Sequence, residues 1–590
     1  MLRCWGRSSK KTRPRRSAFL NMGVTRHSAW LLILIIGGGA LQLLIAGSAR
    51  GSTYVVYIPL DSSIYTELET LNGLGYLDTY LDEIKPISRV EAARLTLEAQ
   101  ANLAESGQRD VLARAMVVSL KEQLQDEIGW LENNSEDSPP TMLHPLERVE
   151  TQYLYSSGPT RHWLTGPGGP INAQEQTPLL PNNDGLPTSN GSNEIVRMSG
   201  WGGFGGFLTG YAEGAVAGPI SHSVASASRG QLLGAETVLS LGNTAVSFGQ
   251  QERSWGTGYF ASLSQSDNAK PFWALTMESI HPTYLPWIFR YLGPGRRELF
   301  MGQLDADRAQ SQHAWIVGHI LAYKPLPTLE FGITRAIIFG GRNNDHYNFG
   351  GFAGRFTGIA TGNPAQGNTK SRAGLFFKFG VPQLRNVEFY QEILGSDNLS
   401  YEVPTIGHYM PFLSVAYQGG FYVPRLTADG FTDLRFEYAL IPGSYSVQDG
   451  NSLYFTYDNQ LMGDPLGLNS SEVDVQFGRW FGSRYKADVD FFYTEEAPRM
   501  YEGNVNYFFK PNSAFYPYSS LGKEHSAGIA FDVLRIPEST TFANGSLVDG
   551  KARIAFEYVD RINYGGGASF RTLVMLSMGI TPTWRSLIWR

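Results

Sequence analysis

The chain has one cysteine in 590 residues, Cys4. It precedes the apolar stretch Ala29–Ala46 instead of following it, so it is not a lipoprotein cysteine, and it leaves with the leader described below. The rest of the chain therefore has no disulfide, no thiolate nucleophile and no Cys metal site. Charge is scarce as well. Only 17% of the residues are Asp, Glu, Lys or Arg, against roughly 25% in a soluble chain. A helical membrane protein needs several apolar runs of ~20 residues, and at most one is present. Neither His-Glu-x-x-His nor Gly-x-Ser-x-Gly occurs. Asp345-His346 with Ser311 or Ser371 is a conceivable hydrolase triad, of a kind any long chain offers. No catalytic residue, cofactor or metal set is expected.

Aromatic residues are abundant, with 33 Phe, 30 Tyr and 12 Trp, which excludes disorder. Glycine is also high at 66 residues. This composition suits a transmembrane β-barrel. Residues 1–49 hold two Lys, six Arg and no acid, then the apolar run, then Gly47-Ser48-Ala49. That is a signal peptide, with cleavage expected near Arg50. Gly37-Gly38-Gly39 and Gln42 weaken the competing reading, a membrane anchor. Initiation at Met22 in place of Met1 gives an ordinary signal length. Losing the eight basic residues takes the formal charge from −6 to −14. Such a chain cannot neutralise phosphates, so nucleic acid is not a partner.

Two periods follow. Residues 50–135 read as a helical periplasmic unit of three helices. Asp61 is expected to cap the first, which carries Ile64, Leu68 and Leu71. Ser88-Arg89-Val90-Glu91 is a capping box for a second helix that stops at Gly107. A third is expected over about Gln108–Leu131. Residues 136–193 are rich in Pro, Asn and Gly and read as a linker, with a possible first strand around Arg148–Tyr155.

From 194 to 590 the period is two. Tyr485, Ala487, Val489, Phe491 and Tyr493 alternate with Lys486, Asp488 and Asp490. Phe436 and Tyr438 alternate with Arg435 and Glu437, and Phe556 and Tyr558 with Glu557. Asp474 lies between Val473 and Val475. A soluble sandwich shows the same alternation. The aromatic character of one face, and the lack of a helical covering layer, favour lipid outside and water inside. The expected lumen wall is Arg435, Glu437, Asp474, Lys486, Asp488, Asp490 and Glu557. At roughly 22–28 residues per strand plus connection, the barrel has about 16–20 antiparallel strands, with 18 favoured. The last is expected at Ala568–Ile580. Trp589 is penultimate, so the usual terminal aromatic is missing.

Distinctive blocks occur at 250–305. Gln250-Gln251-Glu252-Arg253-Ser254-Trp255-Gly256-Thr257-Gly258-Tyr259 is followed by Ser266-Asp267-Asn268-Ala269-Lys270-Pro271-Phe272. Arg290-Tyr291-Leu292-Gly293-Pro294 and Leu299-Phe300-Met301-Gly302-Gln303-Leu304-Asp305 come next. The order and spacing of these blocks resemble the capsule assembly Wzi family of outer-membrane proteins. The resemblance implies an outer-membrane barrel with a helical N-terminal unit. It implies binding and organisation of capsular or other surface polysaccharide, without enzymatic activity. Its expected partners are that polysaccharide, outer-membrane lipid and the capsule export machinery. A passive diffusion porin and an outer-membrane lipid hydrolase are the alternatives. Separately, Ile58-Pro59-Leu60-Asp61 through Ser88-Arg89-Val90-Glu91-Ala92-Ala93 is similar to a surface-layer homology module.

Sugar sites combine aromatic faces with planar polar groups. Trp255, Gln250, Gln251, Asn268, Asp305, Asp307 and Arg308 are the expected glycan contacts. A tight Gly256–Gly258 turn and an interfacial Trp255 would explain part of the same pattern without a ligand. Pro282, Pro286 and Pro294 exclude a central strand, so 281–295 is expected to be a long loop or an inward-folded constriction.

Overall fold

The computed structural model describes residues 53–590 except 108–109, 133–138, 163–173, 176, 187, 220–228, 306–311, 343–368, 397–399, 404–407, 412–414, 442–454, 459, 468–469, 497–522, 541–544, 563–565, 583–586 and 590. The expected signal peptide thus lies outside the described residues.

Among the described residues, four helices come first: α1 Ser63–Gly73, α2 Arg89–Ser106, α3 Val111–Gln123 and α4 Gln125–Glu132. Ser62, not Asp61, caps α1, its hydroxyl accepting from the Ile64 amide. Asp61 is drawn instead to Lys551 of the barrel. Ser88 caps α2 as its motif suggests, but the Glu91 carboxylate takes Arg94 and His281 in place of the reciprocal backbone bond. The expected third helix is two. Arg89 Nη2 donates to the Gln123 carbonyl at 2.8 Å, and the chain leaves helical geometry at Leu124. Leu68, Leu71, Leu95, Met116 and Leu120 form the core of this unit, together with Trp480 and Ile536 from the barrel. Each such burial contributes about 1.5–3 kcal/mol, so the helices hold to the barrel by the same core that holds them to one another.

Eighteen strands form the wall. They are β1 Thr141–Ser157, β2 Gly191–Phe204, β3 Leu208–Pro219, β4 Arg229–Leu241, β5 Thr244–Gln250, β6 Trp273–Ser279, β7 Pro294–Gln303, β8 Trp315–Leu326 and β9 Leu329–Phe339, then β10 Thr369–Val381, β11 Val387–Ser396, β12 Val415–Val423, β13 Thr432–Ile441, β14 Ser470–Phe481, β15 Tyr485–Glu496, β16 Glu524–Ser539, β17 Leu547–Asp560 and β18 Ser569–Thr581. Each pairs antiparallel with its neighbours in sequence, and β18 pairs with β1 from Val149↔Ile580 to Ser157↔Thr572, which closes the barrel. Leu587–Trp589 adds a short pairing to Thr141–Leu143. The barrel begins at Thr141, not at 194, so the Pro-rich stretch contains the first strand and the first long connection. Pro145 is tolerated because the β1–β2 register shifts between His144 and Arg148, a position without a ladder bond to lose.

The two faces separate by charge. On β15, Phe491 is 48% exposed and Asp490 3%. On β17, Phe556 and Tyr558 are exposed while Glu557 is buried. Arg435, Glu437, Asp474, Lys486 and Asp488 are buried on the inner face as well, whereas Phe436 stacks outward on Phe421, centroids 5.3 Å apart. An outer band of this kind belongs in hydrocarbon.

The two ends also differ. Residues 242–243, 327–328 and 482–484 are tight turns at one end; 158–190, 251–272, 340–368, 442–469 and 497–523 are long connections at the other. The helical unit caps the short-turn end. Lys324 donates to the Tyr80 carbonyl, Arg425 pairs with Asp110 at 3.1 Å, and the Tyr54 ring lies against Gly203. The 281–295 segment is at this end too and does not enter the lumen. It is a short 3-10 turn, Trp287–Leu292, with Trp287, Ile288 and Tyr291 exposed. Pro286 precedes this turn and Pro294 starts β7.

Candidate functional site

A barrel of eighteen strands is too wide for wall side chains to fill. Here four connecting segments fill it. The 251–272 segment touches Glu298 of β7 and also Gln418 and Glu437 of the adjacent strands β12 and β13, which lie several strands away from β7 in the wall, so it crosses the interior. Segments 177–188 and 455–467 enter from the same long-loop end, and 77–88 enters from the helical cap. They are stitched together by backbone bonds: Asp184 N to Asp267 O, Ser266 N to Met462 O and Gly256 N to Glu83 O, at 2.8–3.1 Å. Cap and lumen fill meet in a two-residue sheet, Ile84↔Trp255 and Lys85↔Ser254.

The fastening of 251–272 to the wall explains its composition. Glu298 receives Arg253 Nε on one carboxylate oxygen and Trp255 Nε1 on the other, both at 2.9 Å. Arg253 also donates to Thr276 and lies over the Phe272 and Phe300 rings. Trp255 packs on Phe300 at 5.0 Å and is wholly buried. Gly256 has φ +136°, and a side chain there would strike Glu392 and Ser262. At Gly258 a Cβ would strike the Ala261 carbonyl and Gln418. Both glycines serve close approach.

The expected glycan contacts divide accordingly. Gln250 Nε2 donates to the Pro271 carbonyl, Asn268 Nδ2 donates to the Leu461 carbonyl, and Gln251 is held by Arg253. All are buried. Trp255 is closed off from any ligand by this burial, so in this conformation these four residues hold the fill in place and do not present a surface. Asp305 is half-buried and accepts from the Asp458 amide at 2.9 Å. Asp307 and Arg308 lie outside the described residues, as do Asp345, His346 and Ser311 of the conceivable triad. Arg89 and Glu91 of the module-like motif are spent on internal pairs, with Glu127 and Arg94.

Mid-barrel, beneath the long connections, a cavity of about 360 Å³ remains. Tyr259, Phe260 and Phe492 contribute rings, Asn182 and Gln476 planar amides, and Asp464, Glu472, Asp488 and Asp490 carboxylates. The site is acidic but not bare. Arg435 lies 3.6 Å over the Tyr259 ring, and Glu437 accepts from the Tyr259 amide at 2.7 Å. Burial, with Glu437 nearby, pushes Asp464 up to about 7, against the Leu466 amide that bonds its carboxylate. Sequence reasoning missed Tyr259 and Phe260 as cavity rings and Arg253 and Glu298 as fasteners. The two rings and Arg253 stand beside the distinctive blocks, but Glu298 lies 45 residues beyond Arg253, and no local spacing marks such a partner.

Comparison with known proteins agrees with this architecture. Residues 167–526, more than half of the chain, match the family model of the capsule assembly protein Wzi. A solved structure of Wzi from Escherichia coli, described as an outer-membrane protein involved in group 1 capsule assembly and as a carbohydrate-binding β-barrel, aligns with a TM-score of 0.59. It shares 15% identity, covering 89% of this chain and 99% of that one, and so establishes the fold. An uncharacterized 55.8 kDa protein in the cps region of Klebsiella pneumoniae is 28% identical over 181 residues, 30% of this chain. The match spans 36% of that relative's length. OprD of Pseudomonas aeruginosa aligns over 76% of this chain and 96% of its own with 9% identity and a TM-score of 0.40, too low to carry an argument. The chain belongs to the capsule assembly Wzi family and is a capsule-related β-barrel protein of the bacterial outer membrane.

Proposed function

We propose that this protein binds and organises capsular or other surface polysaccharide at the cell surface and catalyses no reaction on it. The observation that carries the reading is the filled lumen with an acidic, ring-lined cavity left under the long connections. A diffusion porin needs a continuous water path, and the stitched segments oppose one. Sugar hydroxyls donate to carboxylates and their C–H faces stack on rings, and the cavity offers both. Short turns mark the periplasmic end of such barrels, so the long connections face outward, toward the polymer. In this reading Gln250, Gln251, Trp255 and Asn268 fasten the floor of the site. Tyr259 and Phe260 touch glycan, and Asp305, Asp307 and Arg308 supply further polar contacts to it. Contact with capsule export machinery on the periplasmic side, through the helical cap, is part of the same proposal.

The test uses the mature protein in detergent with short oligosaccharides of the host's own surface polymer, because a long polymer masks single-site losses through multivalency. Phe260→Ala weakens binding several-fold, a loss of ~1 kcal/mol by analogy with ring pairs, with barrel yield unchanged. Planar bilayers show no large steady conductance. A large steady conductance, or a parent protein that ignores every oligosaccharide tested, overturns the reading.

A further inference from the structure

Where the helical cap enters the lumen, three carboxylates converge. Asp82 and Glu83 come from the 77–88 segment and Glu330 from β9, and an oxygen of each lies within 4.8 Å of the others. Glu83 is fully buried, and neither of its carboxylate oxygens accepts a hydrogen bond. The second oxygen of Glu330, a residue 4% exposed, is likewise without a donor. Two lysines stand at the edge. Lys324 donates to the first oxygen of Glu330 at 2.5 Å. Lys378 pairs with Asp82 and lies 3.9 Å from Glu83 and 4.0 Å from Glu388. Four carboxylates thus share two ammonium groups, and the balance is two negative charges in a buried place. An uncompensated buried ion costs several kcal/mol, and two facing carboxylates do not both ionise without something between them.

Either a shared proton or a cation resolves the balance. We propose that Asp82, Glu83 and Glu330 form a Ca²⁺ site that locks the helical cap to the barrel wall and to the lumen fill. A divalent ion matches the excess charge. The donors are all carboxylate oxygens, which suit a hard cation. Calcium bonds oxygen at about 2.3–2.6 Å, so one ion spans oxygens up to 4.8 Å apart. Magnesium, at about 2.0–2.1 Å, falls short of the wider spacings. A cavity of about 300 Å³ on the same face, lined by Glu330, Lys378 and Glu388, supplies an entry path and room for water ligands. The location gives the ion its purpose. The Glu83 carbonyl already accepts the Gly256 amide at 3.1 Å, and Ile84 pairs with Trp255. An ion on Glu83 therefore ties cap, wall and the 251–272 segment at one point.

The test is calorimetric titration of the mature protein, refolded free of lipopolysaccharide and stripped with EDTA. Wild type takes up about one CaCl₂ equivalent per chain at least tenfold more tightly than MgCl₂, and Glu83→Gln weakens Ca²⁺ at least tenfold while keeping a heat-modifiable barrel. Glu330→Gln makes the same comparison if Glu83→Gln does not assemble. In wild type, the infrared difference spectrum on adding Ca²⁺ gains ionised-carboxylate bands and loses the protonated-carboxyl band of the proton that the stripped cluster shares. Absence of Ca²⁺ uptake by wild type, uptake undiminished in an assembled variant, or a difference spectrum without carboxylate bands overturns the proposal; the first of these assigns the cluster a shared proton.

Discussion

The wall of this barrel and the material inside it follow opposite rules. The wall is local: neighbours in sequence pair, side chains alternate, and Phe491 faces out because Asp490 faces in. The fill is non-local: Glu298 holds Arg253 and Trp255 across about 45 residues, and Gly256 meets Glu83 across far more. The wall gains from apolar surface placed in lipid, whereas the fill removes charges from water and must pair each one. The two regions should therefore fail differently. A wall error misplaces one face of one strand, but a fill error leaves a charge with no partner.

Deleting one fastener tests the fill most severely. Glu298→Ala leaves the Arg253 guanidinium, 4% exposed, without its counterion. Breaking a buried pair from one side costs about 3–5 kcal/mol. The expected outcome is a barrel whose 251–272 segment loses its seat, read as raised protease cleavage within that segment and a lower thermal midpoint. A midpoint within error of the parent would show that the pair is not what holds the segment.

Next in size is a wall error. Phe491→Arg puts a charge on the lipid face, costing about 2–4 kcal/mol at the bilayer midplane. Assembly yield in heat-modifiability gels should fall. Asp490→Asn on the inner face should assemble like the parent, since it keeps shape and sheds a charge. The reverse ranking would invert the face assignment of the whole strand, because a one-residue slip exchanges every side chain.

The same contrast sets what could be read from the sequence. The alternation on β13, β15 and β17 gives the wall its faces and, with length, its eighteen strands. The helix signals at Ser88 and Gly107 also hold, because a cap and a left-handed stop are local events. What was illegible was long-range. Asp61 yields its cap role to Ser62 because Lys551, nearly five hundred residues away, binds it. The third helix breaks because Arg89 takes the Gln123 carbonyl. Trp255 reads as a sugar platform in sequence, yet its indole N–H and ring are both occupied by β7. The distinctive blocks mark where the fill is fastened, and such residues look like a ligand site because fastening uses the same side chains.

The helical cap offers a smaller effect with a sign. Glu67 of α1 is fully buried, and its one bonded oxygen accepts from Gln123 Nε2 at 2.7 Å. Burial outweighs that bond and the Ser119 hydroxyl, raising the carboxyl from 4.5 to about 8. The folded state then holds the proton more tightly than the unfolded one. Its contribution is fully present below about pH 4.5 and declines as pH rises toward 8. Glu67→Gln removes this titration. The variant should match the parent near pH 4.5 and exceed it at pH 8 by at least about 1 kcal/mol, roughly one pKa unit's worth. Equal melting curves at both pH values would place a cation beside Glu67 or leave it ionised when folded.

The smallest expected effect asks whether cap and barrel are one cooperative unit. Ser88 caps α2 by accepting from the Glu91 amide at 3.2 Å and is 2% exposed, so no water replaces the lost bond. Ser88→Ala should cost ~1 kcal/mol. That loss reads differently in the two cases. If the cap melts by itself, the variant lowers hydrogen-exchange protection throughout α1–α4 about fivefold and leaves β1–β18 untouched, since local opening reports local stability. If the contacts from Lys324, Arg425 and the shared Trp480 and Ile536 core bind cap to barrel, α1 and α2 open only with the neighbouring strands. The same substitution then lowers protection in β14 and β16 as much as in α2. The core shared between helices and turns favours the second outcome: separating the cap exposes Trp480 and Ile536, and each buried side chain of that size adds about 1.5–3 kcal/mol to the cost of opening the cap alone. Protection lost in α2 with no change in β14 and β16 would show instead that the cap is a separable lid, held to the mouth of the barrel more weakly than it holds itself together.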